Sequence, residues 1–154
     1  AVGLVASLLA CASMKAASAK QNYIHSQTSK HVYDKPCQQV WPDARSMLFE
    51  LGYSVKDTGE GTARTVETEW KTERHSSTSS NYYSNRYLVQ GIQKGENGEK
   101  CKVRFTRNTR QSDGDVTSSR DLDMEWKLLQ RVNPSRAAAI QSEAETRAQA
   151  AKNN

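Results

Sequence analysis

The sequence predicts an α+β fold, an antiparallel four-stranded sheet covered by two helices, and three observations carry that expectation. Strict period-two alternation marks residues 63–74, helical spacing marks two segments ending near 51 and 132, and Gly- and Asn-bearing turns separate the strands. Helix, strand, hairpin of strands and closing helix, in that order, is the pattern of helices laid on one antiparallel sheet.

The first helix is expected from about 39 to 51. Val40, Ala44, Leu48 and Leu51 share a face, Pro42 suits a first turn, and Gly52 suits a left-handed C-terminal cap. Tyr53 to Asp57 reads as a short strand and 58–62 as a turn. From Ala63 to Arg74, Val66, Thr68, Trp70 and Thr72 alternate with Glu67, Glu69, Lys71 and Glu73, the signature of a sheet with one buried and one wet face. Residues 75–81 form a polar loop ending at Tyr82-Tyr83, and Arg86 to Lys94 is a third strand. Gly95-Glu96-Asn97-Gly98 is a hairpin turn, and Lys100 to Arg110 is a fourth strand with Cys101, Val103 and Phe105 inward.

Gln111 to Arg120 reads as a second polar loop. The closing helix, Asp121 to Val132, places Leu122, Trp126 and Leu129 on one face, with acidic residues early and basic residues late, as the helix dipole favours. Asn133-Pro134 stops it. Residues 134–154 are rich in Ala, Gln and Glu with Ile140 as the one large apolar anchor; an Ala-rich helical or disordered tail is expected there, ordered only by a partner.

The start of the chain carries the functional signal. Residues 1–10 are small, apolar and uncharged, too short to span a bilayer and matched to the apolar middle of a secretory signal, whose basic start is expected ahead of Ala1. Leu8-Leu9-Ala10-Cys11 resembles the lipobox of bacterial lipoproteins, with Leu three places before Cys and a small residue immediately before it; Leu9 is a less usual choice. That resemblance implies lipidation of Cys11, cleavage ahead of it, and, since Ala12 rather than Asp follows, an outer-membrane address, on the periplasmic face. An acylated Cys is a strong anchor because each buried methylene contributes roughly 0.8 kcal/mol. The alternatives are a signal tail with an incidental Cys, or a buried helix of a larger protein. Residues 11–29, poor in large apolar side chains, read as a flexible tether to a domain at 30–133.

Three cysteines less Cys11 leave Cys37 and Cys101, an even remainder that suggests one disulfide in an exported protein; two unpaired, buried small hydrophobes are the alternative. Closing that loop would stabilise the fold by about 4 kcal/mol.

No G-x-S-x-G, P-loop, HExxH or dinucleotide fingerprint occurs, so the chain is not expected to be an enzyme or to hold a cofactor or metal. His25, His31 and His75 are scattered, and Glu67, Glu69 and Glu73 are the spacing of any wet strand face. Trp41, Trp70 and Trp126 read as core anchors, whereas Tyr82 and Tyr83 are the aromatic pair without a core explanation and the candidate partner contact. The net charge of +5 is spread along the chain without a basic block, which argues against nucleic acid and points weakly to an anionic partner such as a phospholipid surface.

Val40-Trp41 opening a helix, Leu51 to Asp57 as helix end plus strand, and Gly61 leading to Val66-Glu67-Thr68-Glu69-Trp70 resemble the helix-grip domain of BamC (NlpB)-type lipoproteins, over roughly Lys30 to Val132. The family carries two such domains and this chain has room for one. The resemblance implies an accessory, non-catalytic part of an outer-membrane protein assembly machine that acts by binding, as a lipid-anchored scaffold with no small-molecule substrate. The other readings are a periplasmic lipoprotein holding a small ligand or peptide between helix and sheet, and a structural subunit of a secretion machine.

Overall fold

The computed structural model describes residues 3–57, 63–74 and 82–153; the turn expected at 58–62 and the loop expected at 75–81, with His75, lie outside the described residues. The chain is an α+β protein. Its elements are α1 (Gly3–Lys30), α2 (Cys37–Glu50), β1 (Val55–Asp57), β2 (Ala63–Thr68), β3 (Lys71–Arg74), β4 (Tyr82–Lys94), β5 (Lys100–Gln111), β6 (Val116–Arg120), α3 (Leu122–Val132) and α4 (Pro134–Lys152).

All strand pairs are antiparallel, in the order β1-β2-β4-β5-β6, with β3 continuing beside β4. The long β4–β5 hairpin is the spine, turned by Gly95 and Gly98, whose φ values of 86° and 67° are costly for other residues. Val66, Val89 and Phe105 lie opposite one another across three strands and are buried, so they define the covered face; Trp41, Val40 and Leu48 of α2 and Leu128 and Leu129 of α3 close over it. Cys37 at the start of α2 bonds Cys101 on β5, with Cα atoms 4.8 Å apart, which is the pairing expected from the cysteine arithmetic.

The sheet has six strands where four are expected, and each difference has a local cause. The run from 63 to 74 is broken: Glu67 pairs Leu88 and Lys71 pairs Asn85, so three residues on one strand face two on the other. This bulge turns the chain over beyond Thr68. Trp70 leaves the core and lies between the guanidinium groups of Arg86 and Arg110, 4.7 and 4.6 Å from its ring centre. The loop expected at 111–120 holds only the turn; Val116 to Arg120 return as an edge strand whose Thr and Ser side chains carry no apolar alternation. β4 begins at Tyr82, four residues before the expected start, so Tyr82-Tyr83 are strand residues and not loop. α2 begins at Cys37, which places Pro42 past the first turn, where Gln38 and Pro42 are both exposed and water can serve the freed carbonyl.

The four helices replace the expected two. The tether expected at 11–29 is helix, and the tail expected at 134–154 is helix as far as Lys152. They pack antiparallel: Lys20 meets Glu145 at 3.3 Å, and the Arg147 guanidinium stacks 4.3 Å from the Tyr23 ring centre. Ala16 and Ile24 of α1 and Ala137, Ile140 and Ala144 of α4 are all buried. Three of these five are alanines, so most of the seam is built from side chains too small to mark an apolar stripe in the sequence. Asn133 both ends α3 and caps α4 by accepting from the Arg136 amide, and Pro134 stands in the first turn, where its missing N–H costs nothing.

Because α3 is covered by the sheet on one side and by α1 and α4 on another, its buried positions are Met124, Glu125, Leu128 and Leu129, and Trp126 is only partly buried instead of anchoring the core. Glu125, 4% exposed, accepts from the Phe105 amide at 3.2 Å and from Arg120 Nε at 2.8 Å and Nη2 at 2.7 Å. Arg120 also donates to the Ser29 carbonyl at 3.1 Å, so one partly buried ion pair ties α1, β5, β6 and α3 together.

Candidate functional site

Cys11 lies on α1, in the stretch ahead of its contacts with α3; its side chain, like those of Leu8, Leu9 and Ala10, lies outside the described residues. Ser13, Ala16, Ala17 and Lys20 line a groove with Glu145 to Lys152 of α4, whereas Gln21 and His25 reach Asp123 on α3 at 2.9 Å each. The His25 contact holds the Asp123 carboxyl below its usual range. From Cys11 to Gln21 is ten residues of helix, a rise of about 15 Å. The candidate attachment point therefore stands off the sheet and α3, toward the end of a two-helix arm. No helix of the described residues is long and apolar enough to cross a membrane.

Tyr82 and Tyr83 stand at the start of β4, at the end of the sheet that the helices leave uncovered. Tyr83 pairs with Glu73 on one side and Gln111 on the other, and its hydroxyl bonds the Glu73 carboxylate, which raises its pKa. With Asn85, Arg107 and Thr109 the two tyrosines line an open, polar cleft of about 630 Å³. The cleft is cross-braced: Thr109 donates to Asn85 at 2.7 Å, and Tyr87 donates to Asp121 at 2.9 Å. Burial, and then the Asp121 carboxylate, push the Tyr87 hydroxyl well above its usual range. Tyr82 is 40% exposed, enough to present its ring edge to a partner.

The structure brings Cys37 and Cys101 together and leaves Cys11 and the tyrosine pair apart, on α1 and β4. Glu67, Glu69 and Glu73 do not act as a set: Glu67 pairs with Arg86, Glu69 with Lys56, and Glu73 with Tyr83. Among the described residues no group of His, Cys, Asp and Glu has the arrangement of a metal site. Sequence reasoning misses Arg120 and Glu125, since a charged pair in the interior has no periodicity; it also misses Arg86 and Arg110, whose partner Trp70 is expected in the core. Comparison with protein-family models, curated proteins and solved structures finds no match for this chain.

Proposed function

We propose that the chain is a bacterial lipoprotein, anchored through Cys11 to the periplasmic face of the outer membrane, that serves as a non-catalytic scaffold or accessory subunit of an envelope complex. The observation that carries this reading is the apolar run ending in Leu8-Leu9-Ala10-Cys11. The Cys37–Cys101 bond supports it, because such bonds persist in oxidising compartments. The α1–α4 arm supports it too: an anchor on a stiff arm sets the sheet at a fixed height above the bilayer, a geometry suited to positioning a partner. A BamC-like, helix-grip arrangement of the body, and a role in outer-membrane protein assembly or in a secretion machine, belong to the same proposal.

The space between helices and sheet, where a ligand-binding lipoprotein would hold its cargo, is filled by Trp41, Val40, Leu48, Val89 and Phe105. That filling favours a scaffold over a small-ligand carrier. The test is purification of the anchored protein from detergent-solubilised membranes. A stoichiometric set of envelope proteins that co-purifies is expected; a protein that runs alone in mild detergent, at its native level, contradicts the reading.

A further inference from the structure

The face of the sheet turned away from the helices is uncovered among the described residues, and its charge is one-sided. Alternation from the inward Cys101, Val103 and Phe105 places Lys102, Arg104, Thr106, Asn108 and Arg110 on that face of β5, and the register adds Gln90, Leu88 and Arg86 from β4. Lys56 joins them beside Glu67. The carboxylates of this region are already engaged, Glu67 with Arg86 and Glu69 with Lys56. Over the middle of this surface five cations against two carboxylates leave 5 − 2 = +3, and the same alternation adds Lys94 and Lys100 at its end, where Lys100 pairs with Asp34.

Lys102, Arg104 and Arg110 make no ion pair among the described residues. They stand on one strand, so Lys102 and Arg104 are about 7 Å apart and the row to Arg110 runs about 27 Å. At its far end, Trp70 is held between Arg86 and Arg110, and of these two guanidinium groups Arg110 has no ion-pair partner among the described residues.

We propose that this face is the docking surface for an extended, acidic segment of a protein partner. The spacing selects the occupant: an extended peptide laid along β5 repeats its side chains every two residues, the same interval as Lys102 and Arg104. Thr106 and Asn108 offer hydrogen bonds between the cations. A bilayer fits less well: the exposed aliphatic side chains of this face, Ile92 beside Lys102 and Val116 beside Arg110, stand at opposite ends of the row and form no continuous apolar stripe, and Trp70 is clamped by its two arginines. The proposal rests on the scaffold reading only in taking the partner to be a protein; the surface itself does not depend on the anchor.

The experiment uses the full chain with Cys11→Ser, so that lipid plays no part, and a fluorescein-labelled peptide of alternating glutamate and serine. Binding that weakens with added salt is expected. Lys102→Glu with Arg104→Glu, both solvent-facing, should weaken it about tenfold or more, while Lys127→Glu, on an exposed helix position, leaves it unchanged. Equal loss in both variants, or no loss in the first, overturns the proposal. Binding to phosphatidylglycerol vesicles that the β5 pair abolishes, with no peptide binding, overturns it in favour of a membrane surface. A failure here with anchoring intact leaves the lipoprotein reading standing, and the reverse result separates them in the other direction.

Discussion

Trp41 packs on Gly91 so closely that a Cβ at that glycine would stand 3.1 Å from Cζ3 of the indole and 3.5 Å from Sγ of Cys37. The missing side chain is what lets α2 approach the C-terminal part of β4, bringing Cys37 into reach of Cys101. Gly91→Ala forces the ring or the helix to give way and should destabilise the protein by about 1 to 3 kcal/mol, as overpacking does. Urea unfolding with the disulfide intact measures it. A loss below about half a kcal/mol would mean that the helix is free to shift.

Removing α4 should unfold more than a tail. Ile140 is 2% exposed, Ala137 and Ala144 are buried with it, and their loss uncovers the face of α1 around Ala16. Truncation after Asn133 is expected to cost about 3 to 5 kcal/mol and to lower Tm by about 10 °C or more. A melting temperature unchanged within a few degrees would return α4 to the status of an appendage.

The same seam marks the limit of what is legible in the chain. The α+β class, the disulfide, α2, α3 and the two long strands are carried by apolar periodicity, turn residues and cysteine count. The α1–α4 pair is not, because three of its five buried apolar residues, Ala16, Ala137 and Ala144, are small and lie among equally small exposed residues. Trp70 is the complementary case: the alternation that should bury it is real up to Thr68, and a single extra residue at 68–70 sends it to the opposite face, where arginines and not aliphatics receive it. Of the candidate site, Cys11 and the tyrosine pair are legible as residues without a place in the core pattern; the basic row on β5 reads only as the wet half of a strand.

His31 gives the stability a pH dependence. Burial, and then the nearby Arg136 guanidinium, hold its pKa below the ordinary 6.5, with Asp34 opposing them, and its Nε2 has no hydrogen-bond partner among the described residues. The unfolded chain therefore binds a proton that the folded chain refuses. The His31 contribution is fully present above pH 6.5 and is lost as pH falls from there through the lower folded value. Stability measured by denaturant between about pH 7.5 and about pH 5 should decline, and His31→Gln should flatten the slope. An unchanged slope in the variant assigns the acid sensitivity elsewhere.

Cys11 is proposed to carry the chain to a membrane. The most direct measurement is palmitate labelling and fractionation of the precursor expressed with its complete signal, as wild type and as Cys11→Ser. Labelled, membrane-bound wild type is expected, with an unlabelled variant released to the soluble periplasmic fraction and its disulfide still formed. Equal membrane partition of the two proteins, or absence of label in the wild type, would contradict it.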